Sequence, residues 1–304
     1  MKRKNWLLGL FLLAAMGCLL VESGAAAEAV RAGITLCVQS VIPALFPFFV
    51  LTSLFISLGF ADELGRLLRR PARRLFHCGG AGGTAFLLGI VGGYPVGGRT
   101  VGQLYEQGFC QKQEAERLLA CCNNSGPAFI LGIAGGALFH SSRLGAWLYV
   151  IHVFSAVLTG LLLRPWHAPP GKQSARAASA APPRFSQALI GAVQSGFSSI
   201  LNVCGFVIFF LVVLTFFTRL TGLHQGAVLG LLELTNGILL LPPTPLGFCA
   251  ASGLLAFGGL SVHCQTAAVL GGTGLSLRYY WLGKLLQTAL SLLLSVPAAL
   301  WLFS

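Results

Sequence analysis

Charged residues punctuate this chain at wide intervals instead of alternating with apolar ones. Runs free of Asp, Glu, Lys and Arg cover residues 32–61, 75–98, 118–142, 144–163, 185–218, 234–277 and 285–304. About 20 apolar residues span a hydrocarbon core, so most of these runs can hold a membrane-crossing helix and two can hold more than one. The pattern predicts an all-α polytopic membrane protein. Inside the third run sits CNNSGPAF (122–129), where two asparagines, a serine, a glycine and a proline interrupt a stretch otherwise suited to lipid.

Composition agrees with the pattern. The chain is 55% hydrophobic and 9% charged, against about 25% charged in an ordinary soluble domain, and its mean hydropathy is +0.80. The net charge of +12 would suit nucleic acid, but the basic residues gather at Lys2–Lys4, at Arg66, Arg69, Arg70, Arg73 and Arg74, and at Arg164, Lys172, Arg176 and Arg184. That is the placement of the positive-inside rule, with no interleaved aromatics, so no nucleic-acid partner is expected. The nine cysteines form no CxxC pair and read as small packing residues; no metal or cofactor is expected. The N-terminal segment, 1–24, is either a first transmembrane helix or a signal peptide. Either way the N-terminus is placed in the cytoplasm.

Two halves flank a linker. Residues 165–186 are basic and rich in Ala, Pro and Ser, which predicts a flexible cytoplasmic connection between a first repeat, 25–164, and a second, 187–304. Residues 33–59 and 196–222 match in length and in aromatic content, with glycine at each end. CNNSGPAFILGIAGG (122–136) lies without gaps over GGLSVHCQTAAVLGG (258–272), and each is followed by a polar turn and a 20-residue apolar helix. Charge supplies the orientation: the arginine loop 66–74 and the linker both belong inside, and Arg278 and Lys284 in the turn before the last helix fit the cytoplasmic side, so the second repeat runs opposite to the first. Counting crossings then makes 79–98 a re-entrant hairpin and 118–139 a crossing. In the second half, 227–259 becomes a hairpin broken at LPPTP (241–245) and 260–277 the crossing.

Non-helical backbone at membrane depth needs protein or a water-filled cavity around it. Pro127 lacks an N–H, and Asn123, Asn124 and Ser125 can cap a helix restarting after it, so CNNSGPAF predicts a discontinuous helix whose positive end faces a polar or anionic substrate. GGYPVGGR (92–99) permits a tight turn; Tyr94 can stack or hydrogen-bond and Arg99 is the nearest charge, although a glycine-packed helix contact reads the same way. Glu233 is the one acid after residue 187. It is either a proton or cation site or a group at a hairpin mouth. Asn236, Ser261 and Gln265 complete the polar set, with Gln265 weighted above His263; His140 and His152 read as structural or interfacial. Neither HExxH nor GxSxG is present and acids are few, so no enzyme is expected.

Inverted repeats of helix, re-entrant hairpin, broken helix and closing helix resemble the core of concentrative nucleoside transporters and the nucleoside-recognition, or gate, domains. More closely, VIPALFPF (41–48), GGYPVGG (92–98), NNSGPAF (123–129), GLLELTNG (230–237) and GGLSVHCQ (258–265) resemble YlbJ-type sporulation integral membrane proteins. The resemblance implies a carrier of dipicolinic acid during endospore formation, working by alternating access in the outer forespore membrane. Its substrate-binding residues would be Tyr94, Arg99, Asn123, Asn124, Ser125, Asn236, Ser261 and Gln265, with Glu233 for a proton or coupling ion. The partners implied are a dipicolinate-like anion, the lipid bilayer and possible further copies of the chain. A nucleoside or other small-metabolite carrier remains open, as does a non-transporting sporulation scaffold, for which the arginine loop and linker would matter and the mid-membrane polar residues would not.

Overall fold

A computed structural model describes residues 3–164 and 183–304. Most of the linker read at 165–186 lies outside the described residues. Helix α1, Arg3–Val21, is followed after a 92° bend by α2, Ser23–Leu36. A π-helical turn, Cys37–Val41, joins α2 to α3, Ile42–Ser57. Gly59, at φ +85°, then turns the chain by 87° into α4, Phe60–Phe76. The five arginines read as a loop are carried on this helix. Asp62 and Glu63 in its first turn and Arg73 and Arg74 in its last complement the helix dipole. Its small side, Ala61, Gly65 and Ala72, is buried, while Leu67 is exposed.

Helices α5, Gly80–Gly92, and α6, Val96–Glu106, form a hairpin with its tip at Gly93-Tyr94-Pro95. The hairpin runs further than the sequence reading of 79–98, because Arg99 is held inside the protein rather than marking its edge. Next comes a broken helix: α7, Lys112–Cys122, four non-helical residues, then α8, Pro127–Phe129, with its π-helical continuation Ile130–Leu138. Helix α9, Ser142–Leu162, closes the first half, its start capped by Ser141 Oγ accepting from Leu144 N.

The 37-residue α10, Phe185–Thr221, opens the second half and packs along α2 and α3, with Gly33 against Ile208 and Gly196 against Val50. A short hairpin follows, α11, Gly226–Leu232, and α12, Leu234–Leu239. Its tip is Glu233, whose carboxylate caps α12; the sequence reading had put the break at 241–245. Those prolines instead lead into α13, Pro245–Phe257, where Thr244 Oγ1 accepts from Gly247 N and Pro245 occupies the first turn. Gly258, at φ +95°, separates α13 from α14, Gly259–Val269, and the two make one broken span over Pro245–Val269, upstream of the 260–277 crossing read from sequence. Helix α15, Arg278–Leu302, ends the fold.

The chain is therefore an all-helical polytopic membrane protein. Among the described residues five helices are long and apolar enough to cross a membrane, or up to seven if each bent pair is one span. Both halves run in the order long helix (α2–α3 in the first, α10 in the second), hairpin, broken helix, closing helix, and α1 and α4 lack counterparts. Glycine decides how closely these parts approach. A methyl group at Gly97 would overlap the Cys122 carbonyl oxygen at the first break, and one at Gly237 would overlap the Gly230 backbone across the second hairpin. Gly205 on α10 faces open space. Gly97→Ala and Gly237→Ala should each lower stability by about 1–3 kcal/mol, the usual cost of overpacking. Gly205→Ala should be neutral or stabilising by up to about 1 kcal/mol through helix propensity. Thermal unfolding of the three purified variants checks both expectations.

Candidate functional site

The hairpin tips and helix breaks meet around a cavity of about 290 Å³. Hairpin α5–α6 contributes Gly93 and Tyr94, the first break Ser125 and Gly126, the second hairpin Glu233 and Thr235, and α14 Val262 and Gln265. Helices α2, α3 and α10 supply the apolar wall, with Leu36, Leu45, Phe48, Val203 and Val207. At one point Ala128 and Phe129, in the first turn of α8, line the space. Gly126 is the N-cap of that helix and offers no side-chain bond to its first-turn N–H groups. The arrangement offers an apolar slot with a few fixed polar groups at one end, the usual construction of a small-molecule site.

Of the residues singled out in the sequence, Tyr94, Ser125, Glu233 and Gln265 line this cavity. Glu233 is 3% exposed. One carboxylate oxygen accepts from Thr235 N at 3.1 Å and the other from Asn236 N and Asn236 Nδ2, each at 2.8 Å. Asn236 thus serves Glu233 instead of reaching the cavity. Ser261 stands in the same supporting layer, its Oγ accepting from Gln265 Nε2 at 3.1 Å.

Asn123 and Asn124 are fully buried and hold the break together. Asn123 Oδ1 accepts from Gly98 N at 3.1 Å and its Nδ2 donates to Thr266 Oγ1 at 2.8 Å, joining α6 to α14. Asn124 Nδ2 donates to the Cys121 carbonyl, and its Oδ1 accepts from Gln287 Nε2 at 2.9 Å. Ser125 N donates to His152 Nε2 at 3.0 Å, which makes that nitrogen the acceptor and the ring a cap for the broken strand of backbone. Arg99 lies elsewhere. Its guanidinium donates to Ser53 Oγ and Ser195 Oγ, stacks over Phe49 at 5.2 Å, and lines a separate cavity with Gln103, Glu106 and Asn202.

The residue that ties these parts together is Lys284, 0% exposed. Its Nζ donates to the Asn123 carbonyl at 2.7 Å, Gln287 Oε1 at 2.8 Å, Tyr94 Oη at 2.9 Å and the Ala256 carbonyl at 3.3 Å, and it lies 4.9 Å from the Tyr94 ring centre. Tyr94 Oη is in turn 3.2 Å from the Leu255 and Ala256 carbonyl oxygens. Gly283 lets α15 lie against Ala120 of α7, where any side chain would collide. Sequence reasoning had placed Lys284 in a cytoplasmic turn. A signal was available: Lys284, Gln287, Ser291 and Ser295 recur at helical spacing on one face of α15, and all are fully buried.

Comparison with known proteins finds one relative of similar length. The chain is 27% identical, over 94% of its own length and 80% of the relative's, to the sporulation integral membrane protein YlbJ of Bacillus subtilis (strain 168). The chain resembles this sporulation membrane protein along nearly its whole length. No family model and no solved structure matches it.

The Asn124–Gln287 bond can be isolated. Asn124→Ala and Gln287→Leu should each cost about 1–3 kcal/mol, because each leaves a buried polar partner unsatisfied. The double variant should cost clearly less than the sum, since both remove one bond. A double-mutant cycle by thermal or denaturant unfolding reads the coupling directly.

Proposed function

We propose that this chain is a sporulation-associated carrier of a small aromatic acid of the dipicolinate type. The observation that supports the reading most is the cavity at the meeting of two hairpin tips and two helix breaks. Its apolar wall of Leu45, Phe48 and Val207 suits a flat ring, and the start of α8 with the Gln265 amide suits a carboxylate. Hairpins and broken helices converging on one site also provide elements that can be exchanged between two faces of a membrane. Sporulation enters through the relative's name and the five ordered motifs.

Glu233 constrains how an acid is carried. Two like charges about 4 Å apart repel by about 4 kcal/mol at an effective dielectric of about 20. An anion beside a charged Glu233 therefore binds poorly unless a proton enters with it. Glu233 and Tyr94 are the titratable side chains lining the cavity. On this reading the Glu233 carboxylate is the coupling group.

A neutral substrate is the second reading, favoured by one feature: no lysine or arginine lines the cavity among the described residues. A nucleobase would fit the same apolar slot and use the Gln265 and Ser125 groups.

Uptake of labelled dipicolinate into liposomes holding the purified chain, with labelled uridine in parallel, separates the two. The expected result is saturable dipicolinate uptake, stimulated at least about 5-fold by an inward proton gradient, with little uridine entry. Glu233→Gln should abolish the stimulation while binding at neutral pH is kept or improved. Full stimulation in Glu233→Gln would remove the residue from coupling, and uridine uptake alone would replace the substrate.

A further inference from the structure

The oxygens around Lys284 have the character of a cation site. Two of the four, Asn123 O and Ala256 O, are backbone carbonyls at the ends of interrupted helices, one on each broken span. The other two are the Tyr94 hydroxyl and the Gln287 amide oxygen. All four are neutral. The buried acids among the described residues bond elsewhere, Glu114 to Gly79 N and Glu233 to residues 235 and 236, so no carboxylate draws the lysine inward. Unwound backbone carbonyls with side-chain oxygens are what membrane carriers offer to an alkali cation at the bilayer midplane. An ammonium group is close to K⁺ in size and carries the same charge.

We infer that Lys284 is a tethered cation filling an alkali-cation site, so that the chain supplies from its own α15 the charge that an ion-coupled carrier takes from solution. The positive charge joins the first hairpin, both breaks and the closing helix at one point. A dissociable Na⁺ or K⁺ in that position would connect the same four elements only while bound. With the lysine in place the cation is covalently tethered and cannot dissociate into solution, and transport has no use for either ion. This consequence rests on the carrier reading, and it leaves the proton at Glu233 as the coupled species. The site itself does not depend on that reading.

Truncating the lysine should empty the shell and expose a true ion site. The full chain, purified in detergent, is melted in 100 mM NaCl, KCl or choline chloride without substrate. The wild type should melt at the same temperature in all three. Lys284→Ala should melt lower in choline and regain about 3–6 °C in NaCl or KCl, in a saturable way, as mass action predicts for a ligand that binds only the folded state. Ethylammonium, which restores an ammonium to the emptied space, should rescue it as well. Should the alanine variant not purify, Lys284→Ser, which adds an oxygen to the shell, is read by the same criterion. Equal melting of the truncated chain in all salts overturns the inference, as does a wild type that is itself stabilised by Na⁺ or K⁺ over choline. No arm uses a transported substrate, so failure of the dipicolinate assay and failure of this one are separate results.

Discussion

A helix interrupted inside an apolar slab releases backbone N–H and C=O groups that water cannot reach, and each must find a partner within the protein. The architecture of this chain follows from how those groups are met at residues 123–126 and at Gly258. Asn123 O and Ala256 O go to the Lys284 ammonium and Ser125 N goes to the His152 ring, while the Asn123 side chain accepts from Gly98 N at the start of α6. Each partner comes from a different element, so meeting the requirement at the breaks also fastens α6, α9 and α15 around them. Gly97 and Gly283 lie where the backbones must come closest. The cavity is what remains where the hairpin tips stop short of α2, α3 and α10.

Much of this was legible in the residues. The apolar runs predicted the spans, Pro127 the first break, Tyr94 the tip of the first hairpin, and the Gly258–Gly259 pair fell at the second break through its alignment with CNNSGPAF. Four of the nine predicted site residues line one cavity. What escaped prediction depends on contacts across the chain. Arg99 satisfies its guanidinium with Ser53 and Ser195, 46 and 96 residues away, and nothing local announces that. Lys284 was assigned by charge alone to a cytoplasmic turn, because the rule for loop charges outweighed the polar stripe it begins. The prolines at 242, 243 and 245 were read as the tip of a hairpin. A self-capping glutamate makes a tighter tip than a proline pair, and the prolines fit equally well before a helix start.

The supporting layer also explains why so many polar residues near the site do not touch the cavity. Asn123, Asn124, Asn236 and Ser261 hold backbone or hold the side chains that face inward. A polar residue in a membrane span is functional in either position, through the ligand or through the backbone that shapes its site. Sequence pattern does not separate the two, since both require the same residue types at the same places.

Helix α4 has a consequence for depth. Five arginines on 17 residues suit its polar face to lipid headgroups, and the start of α5 is seated on it: Thr84 Oγ1 donates to Ala61 O, and Gly80 abuts Gly65. From Thr84 to Gly93 the chain has nine residues, at most about 14 Å of helix. Half of a hydrocarbon core is about 15 Å. With α4 at the headgroups, the first hairpin is a plumb line cut to half the thickness of the bilayer: Tyr94 then hangs at the midplane, and the chain between has no length left to carry it across.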